Sequence, residues 1–297
     1  MSPRPLVAPA AALALALLSL PARCAAVQGE VAVPIPARRI VSLAPSVTET
    51  LFALGADSLI VGVSRHCDVP VAAKLKPKVG EFNTPDLAKV LAAAPDVVLF
   101  AEHARPEDIE ALSRAGVPSL VLPARSVSEV VATITKLGEI AGRAGEARRL
   151  TEGIEAAVRE IAGRLAAIPA RTPPSVYVEV DGPEVLYAVG PGSFMDDIIR
   201  LAGGRNVFAG RQAAYFPVAG ADVIAADPEV ILVDYPFQYK VGLAKRPGWD
   251  AVAAVRGGRV FDGTDYDIIL FNRPGPRIAQ ALREIARLLH PQVFREP

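Results

Sequence analysis

Apolar and polar positions along this chain alternate between two periods, and the alternation comes in two rounds. Continuous apolar runs at 39–44, 59–64, 96–101 and 117–122 are interleaved with helical patterns at 48–54, 85–94 and 106–115. Short β-branched runs bounded by Gly and Pro read as buried strands, and their interleaving with helices predicts a parallel sheet. A second round follows, with strands at 175–180, 205–208, 229–234 and 258–261 and helices at 194–202, 219–226 and 275–289. Two pieces of the first round return in the second, in the same order. FALGADSLIVG at 52–62 is echoed by RLAGGRNVFAG at 200–210, and LAKVLAAAPDVVL at 87–99 by GADVIAADPEVIL at 220–232.

Between the rounds lies a stretch with no counterpart. Ser126 and Glu129 form a capping box, as do Ser46 and Glu49 earlier in the chain. The helix opened at Ser126 weakens around Gly142 and Gly145, and a longer one begins near Glu146. There Leu150, Ile154, Val158, Ile161, Leu165 and Ile168 recur at three- and four-residue spacing, with charges elsewhere. Pro169, Pro173 and Pro174 end it. The fold class is therefore α/β. Two Rossmann-like lobes, at 38–144 and 173–291, are joined by one long α-helix at 145–169, with a ligand cleft between the lobes. A single continuous helix resists bending, so the cleft is predicted to be largely preformed and to close only slightly.

Composition changes the compartment rather than the fold. Arg4, an apolar run from Leu6 to Leu20, then Pro21 and small residues to Ala26 read as a signal peptide over 1–26. The expected location is the periplasm, with a lipid anchor at Cys24 as the lesser reading. Loss of that segment leaves Cys67 as the one remaining cysteine, which excludes an intramolecular disulfide. Formal net charge is zero, so no basic field points to nucleic acid.

Patterns for phosphate loops, zinc proteases and nucleophile elbows are absent. His66-Cys67-Asp68 raises a cysteine-dependent hydrolase as a distant alternative. The favoured candidates lie just after strands, where open α/β sheets bind ligands: Pro45 and Ser46, His66, Phe82 and Asn83, His103, Tyr187, Tyr215 and Phe216, Asp265 and Tyr266, and Arg273. Glu81 and Glu102 accompany them. Aromatic rings at such points suit a broad, planar, partly apolar ligand.

At these residues the chain resembles a known family, the helical-backbone substrate-binding proteins of ABC importers that carry cobalamin, ferric siderophores or haem. RIVSLAPSVTETLFALGADSLIVGVS at 39–64 looks like the family's opening strand-helix-strand, and PKVGEFNTPDLAKVLAAAPDVVLF at 77–100 like its second unit. The likeness runs over about 38–290. His66-Cys67-Asp68-Val69-Pro70, and Asn272-Arg273-Pro274-Gly275-Pro276-Arg277 with His290-Pro291, are similar to the cobalamin-binding branch. The resemblance implies a monomer without enzymatic activity or a cofactor of its own. It would hold a corrinoid, or alternatively haem or a ferric siderophore, and deliver it to an importer permease.

By the same resemblance Phe82 and Tyr215 fall at aromatic ligand contacts, with Tyr187 near a third. Arg273 falls at a cleft arginine, and Asp265 or Asp267 near a cleft aspartate. His66 stands where the branch has tyrosine, and its imidazole would be able to act as an axial ligand to a bound cofactor metal. The family's docking carboxylates align with Ala88 and Ala221, beside Asp86 and Asp222.

Overall fold

The structure is a computed structural model and describes residues 32–102, 104–168, 172–181, 185–235 and 240–294. The expected signal peptide, Cys24 and His103 lie outside those residues. No helix among the described residues is long and apolar enough to cross a membrane.

The first lobe is built on β1 (Ile40–Ser42), α1 (Pro45–Ala53), β2 (Ile60–Val63), α2 (Leu87–Ala92), β3 (Val97–Phe100), α3 (Pro106–Arg114) and β4 (Ser119–Val121). Its sheet has the order β2-β1-β3-β4, parallel throughout. Then come α4 (Val127–Ile140) and the connecting helix α5 (Ala144–Ala166). The second lobe contains β5 (Ser175–Val180), β6 (Tyr187–Val189), α6 (Phe194–Leu201), β7 (Arg205–Asn206), β8 (Tyr215–Pro217), α7 (Gly220–Ala226) and β9 (Val230–Asp234). It closes with α8 (Lys240–Leu243), α9 (Ala253–Arg256), β10 (Val260–Phe261), α10 (Ile268–Asn272) and α11 (Ile278–Leu289).

The repeated grammar is repeated structure. Strand β5 pairs in parallel with β7 and β9, and β9 with β10, so β7-β5-β9-β10 reproduces β2-β1-β3-β4. The turns match as well. Gly55 and Gly203 take φ of +65° and +81°, the left-handed turn that stops a helix at glycine. Ala94 and Asp227 are both left-handed just ahead of Pro95 and Pro228. What has no counterpart is the pair β6 and β8. Strand β6 runs antiparallel both to β5 and to β8, so the second sheet is mixed rather than wholly parallel. Neither β6 nor β8 is among the strands read from the sequence.

Strands β1, β3, β5 and β9 are covered on both faces, which explains their unbroken apolar runs. Alternate residues feed different cores. Val41, Leu43, Val98 and Phe100 face an outer core in the first lobe, and Tyr177, Ile231 and Val233 one in the second. The opposite faces join a single large core that runs through both lobes, with Ile134 and Leu137 of α4, Ile154 and Ile161 of α5, Ile198 of α6 and Ile285 of α11. The expectation of one stiff rod holding the halves is thus only part of the answer. Helix α5, 23 residues and about 35 Å long, is one member of a helical layer with α4, α6 and α11.

One ion pair lies inside the second lobe. Glu179 of β5 is fully buried and receives both ends of the Arg246 guanidinium, at 2.6 and 2.7 Å. The Tyr177 hydroxyl donates to it at 3.3 Å, the Tyr235 hydroxyl also donates to it, and Arg246 lies over the Trp249 ring.

Candidate functional site

The C-terminal ends of both sheets open onto one cavity of about 710 Å³ between the lobes. Pro45, Ser46, His66, Phe82 and Asn83 line it from the first lobe; Tyr215 and Arg273 line it from the second. These are seven of the twelve positions singled out by their place after strands. Glu102 lines it too, paired with Arg125.

Helix α1 begins at the cavity, but not by the capping box. Its N-cap is Ala44, with no side-chain cap, and Pro45 occupies the first helical turn, where its fixed φ suits a helix start. Glu49 does not reach back to Ser46, because a stronger partner competes for it. The carboxylate is buried and held by Arg277, with Arg273 at 3.8 Å. At Ser126 the cap does form: its hydroxyl accepts from Glu129 N at 3.1 Å, while the Glu129 carboxylate reaches back one residue further, accepting from Arg125 N at 2.7 Å.

His66 is well exposed to the cleft, and its Nε2 lies 2.9 Å from Glu81 Oε2. A carboxylate on one imidazole nitrogen orients the ring and leaves the other, Nδ1, as a lone-pair donor. Among the described residues no group of three or more His, Cys, Asp or Glu is arranged around a metal position. Cys67, its neighbour, points the other way. The thiol is buried, accepts from Thr48 Oγ1 at 3.1 Å and lies 3.3 Å from Ser64 Oγ. A reagent in the cleft cannot reach it, which removes the geometry a thiol nucleophile needs.

Four of the expected positions lie elsewhere. Tyr187 is in β6, opposite Pro217, away from the cavity lining. Phe216 points into the outer core, edge-on to Phe208 at 5.6 Å, because the side chain after Tyr215 on a strand faces the opposite side. Tyr266 is buried beside Phe271, its hydroxyl donating to Val233 O at 2.9 Å. Asp265 is paired with Lys240 at 2.9 Å and lines a separate open hollow with Thr264, Asp267 and Ile269.

Tertiary structure also brings in residues the sequence did not single out. The segment Gly192 to Met195, the N-terminus of α6, lines the cavity, as do Arg125 and Ala214. A usable signal existed for the first: Ser193 and Asp196 have cap spacing, and Ser193 Oγ accepts from Asp196 N at 3.2 Å. The β6–β8 ribbon carries Tyr215 into the cavity and depends on a close backbone approach. A Cβ at Gly190 would lie 2.1 Å from Ala213 O. Gly190→Ala should therefore cost about 1–3 kcal/mol and shift Tyr215. Urea unfolding and the fluorescence of a probe in the cleft read the two effects; wild-type values for both would mean the ribbon yields freely.

The two sequence motifs of the resemblance meet across the lobes. Arg273 Nη1 donates to Asp68 Oδ1 at 2.9 Å, and a Cβ at Gly275 would stand 3.6 Å from Ser46. With the Arg277–Glu49 pair, and Val127 N donating to Asp197 Oδ2 at 2.8 Å, they form a lobe-to-lobe clasp beside the cavity. Burial raises Tyr215 above the usual tyrosine range, helped by the charges of Asp234 and Glu102. Ala88 and Ala221 are both exposed in the first turns of α2 and α7, equivalent places on the two lobes. Asp86 is engaged by its own Lys89, and Asp222 lies 3.8 Å from Arg211.

Residues 40–266 match the family model described as periplasmic binding protein. An uncharacterized ABC transporter substrate-binding lipoprotein of Bacillus subtilis, YvrC, is 30% identical over 263 residues, covering 87% of this chain and 82% of that protein. The vitamin B12-binding protein of Yersinia pestis is 26% identical over 230 residues, covering 77% and 76%. Among solved structures, the periplasmic heme-binding protein RhuT of Roseiflexus in its apo form superimposes with a TM-score of 0.74 at 27% identity, covering 86% of this chain and 99% of that one. With twin α/β lobes, one helix crossing between them and a cleft at the sheet ends, the chain belongs to the periplasmic binding protein family, in the helical-backbone class of ABC-importer substrate-binding proteins.

Proposed function

We propose that the chain captures a corrinoid in the inter-lobe cavity after export to the periplasm and hands it to an ABC importer permease. The observation that carries this reading is the placement of Phe82 and Tyr215, one from each lobe, on the same cavity of about 710 Å³. A flat macrocycle held between such walls gains about 0.5–1.5 kcal/mol per ring contact beyond area burial. Arg125, Asn83, Asn272 and Arg273 supply polar groups at the rim for amide or anionic arms. The vitamin B12-binding relatives support the same class of ligand.

Haem is the second reading, favoured by His66, whose Nδ1 is left open by the Nε2–Glu81 contact. Visible titration of the exported protein with aquocobalamin and, separately, haemin tests both. Saturable binding of the corrinoid at micromolar concentration is expected. His66→Ala should also change the spectrum of the bound corrinoid, since replacing water by imidazole alters the cobalt ligand field. Clear haem binding with no corrinoid response would transfer the assignment to haem. A bound-corrinoid spectrum unmoved by His66→Ala would reduce that residue to a wall of the cavity. The exposed Ala88 and Ala221 suit a permease surface that does not demand a free carboxylate on each lobe.

A further inference from the structure

Asp234 ends β9 behind the cavity-lining Asn272, and it carries the one buried side-chain polar atom among the described residues that lacks a hydrogen-bond partner. Its Oδ1 is buried with no hydrogen-bond partner, while Oδ2 accepts from Asn272 Nδ2 at 3.4 Å. Asn272 in turn lines the cavity and is exposed to it. A primary amide has a donor end and an acceptor end, so whichever end is turned inward decides which one the cavity sees. An ionised Asp234 can only accept, which turns the NH₂ group toward it and leaves the amide oxygen outward. A protonated Asp234 carries an O–H donor, for which the amide oxygen is the partner, and the NH₂ group is then outward.

The groups packed around Asp234 do not impose either state. Tyr215 approaches from β8 and Tyr266 from the loop before α10; burial raises both hydroxyls, and the charge of Asp234 raises them further, so both stay neutral. Glu102 acts on Tyr215 from the other lobe. No Lys, Arg or His among the described residues pairs with Asp234. Burial pushes its carboxyl up to about 7, with the Asn272 bond pulling the other way, so both forms are populated near neutrality.

We propose that Asp234 is a positioning residue that sets the orientation of the Asn272 amide, so that the ionised form favours ligand N–H donors in the cleft and the protonated form favours ligand carboxylates. The proposal rests on the reading that this cavity binds a ligand, and it deepens that reading by naming the chemistry selected at one rim position.

Two measurements on the full exported chain separate the proposal from the corrinoid assignment. In ¹⁵N-labelled protein without ligand, the Asn272 side-chain NH₂ resonances, identified by their loss in Asn272→Ser, should titrate with a midpoint near pH 7. In Asp234→Asn they should not move between pH 6 and 8. Resonances that stay put in the wild type would overturn the switch. The second measurement compares cyanocobalamin with its monocarboxylic acid derivatives, whose carboxyl is ionised throughout that range. The affinity ratio of amide to acid should rise by about threefold or more from pH 6 to 8 in the wild type and stay flat in Asp234→Asn. A ratio with the same pH profile in both proteins would overturn the selectivity. Failure of every corrinoid to bind, with Asn272 still titrating, would sink the corrinoid assignment and leave the switch standing.

Discussion

Arg246→Met should destabilise the fold by about 3–5 kcal/mol at neutral pH, because it strands a charge in the interior. Glu179 sits in β5, the central strand of its lobe, at 0% exposure. Its charge is tolerated there because the Arg246 fork supplies two hydrogen bonds at 2.6 and 2.7 Å and two tyrosine hydroxyls supply others. Methionine fills a similar volume but leaves the carboxylate facing Tyr177, Tyr235 and apolar neighbours. Denaturant unfolding of the wild type, Arg246→Met and the double variant Glu179→Gln/Arg246→Met gives the decisive cycle. The double variant should recover most of the loss, since a neutral amide costs far less to bury than an unpaired charge. A single variant within about 1 kcal/mol of wild type would show that water reaches Glu179.

Glu49→Ala is the second large effect, expected at about 3 kcal/mol, because it removes the shared partner of two arginines at a buried position. Glu49 is 5% exposed and lies in α1 of the first lobe, whereas Arg273 and Arg277 lie in the turn between α10 and α11 in the second. Bulk salt should hardly weaken the wild-type clasp, since the carboxylate is shielded from counterions. The functional consequence follows from position. Arg273 and Pro274 line the cavity, so a freed 272–277 segment loosens the cleft as well as the lobe contact. Amide exchange in α10 and the N-terminal turn of α11 should accelerate in Glu49→Ala, and affinity for the ligand should fall with it. Unchanged exchange there would place the strength of the lobe contact in the shared helical core alone.

Asn272 to Arg277 stands out by its similarity to the cobalamin-binding branch, and the structure divides its labour. Asn272, Arg273 and Pro274 reach the cavity, while Arg277 joins the lobes through Glu49. Asp68, from the other motif, is drawn to Arg273 across the gap. Nothing in local spacing links residues 205 positions apart. The same holds for Ser46 and Glu49, whose spacing satisfies a capping box while a distant arginine claims the carboxylate.

Local patterning carried the architecture. Apolar runs buried on two faces, glycines in left-handed turns and a long amphipathic stripe are consequences of backbone geometry and near neighbours, and these the amino-acid order determined by itself: two repeated lobes, the helix between them, and a cleft where the strands end. It also marked seven cavity residues, since the exit of a strand is a local property. Only tertiary structure decided which neighbour of a pair enters the cavity, Tyr215 rather than Phe216, because the face of a three-residue strand is set by its partners. It alone placed Asp234 beneath Asn272 and joined Glu49 to Arg277. Those contacts depend on how the lobes pack, and packing is a sum over many weak and distant interactions that no short window of sequence contains.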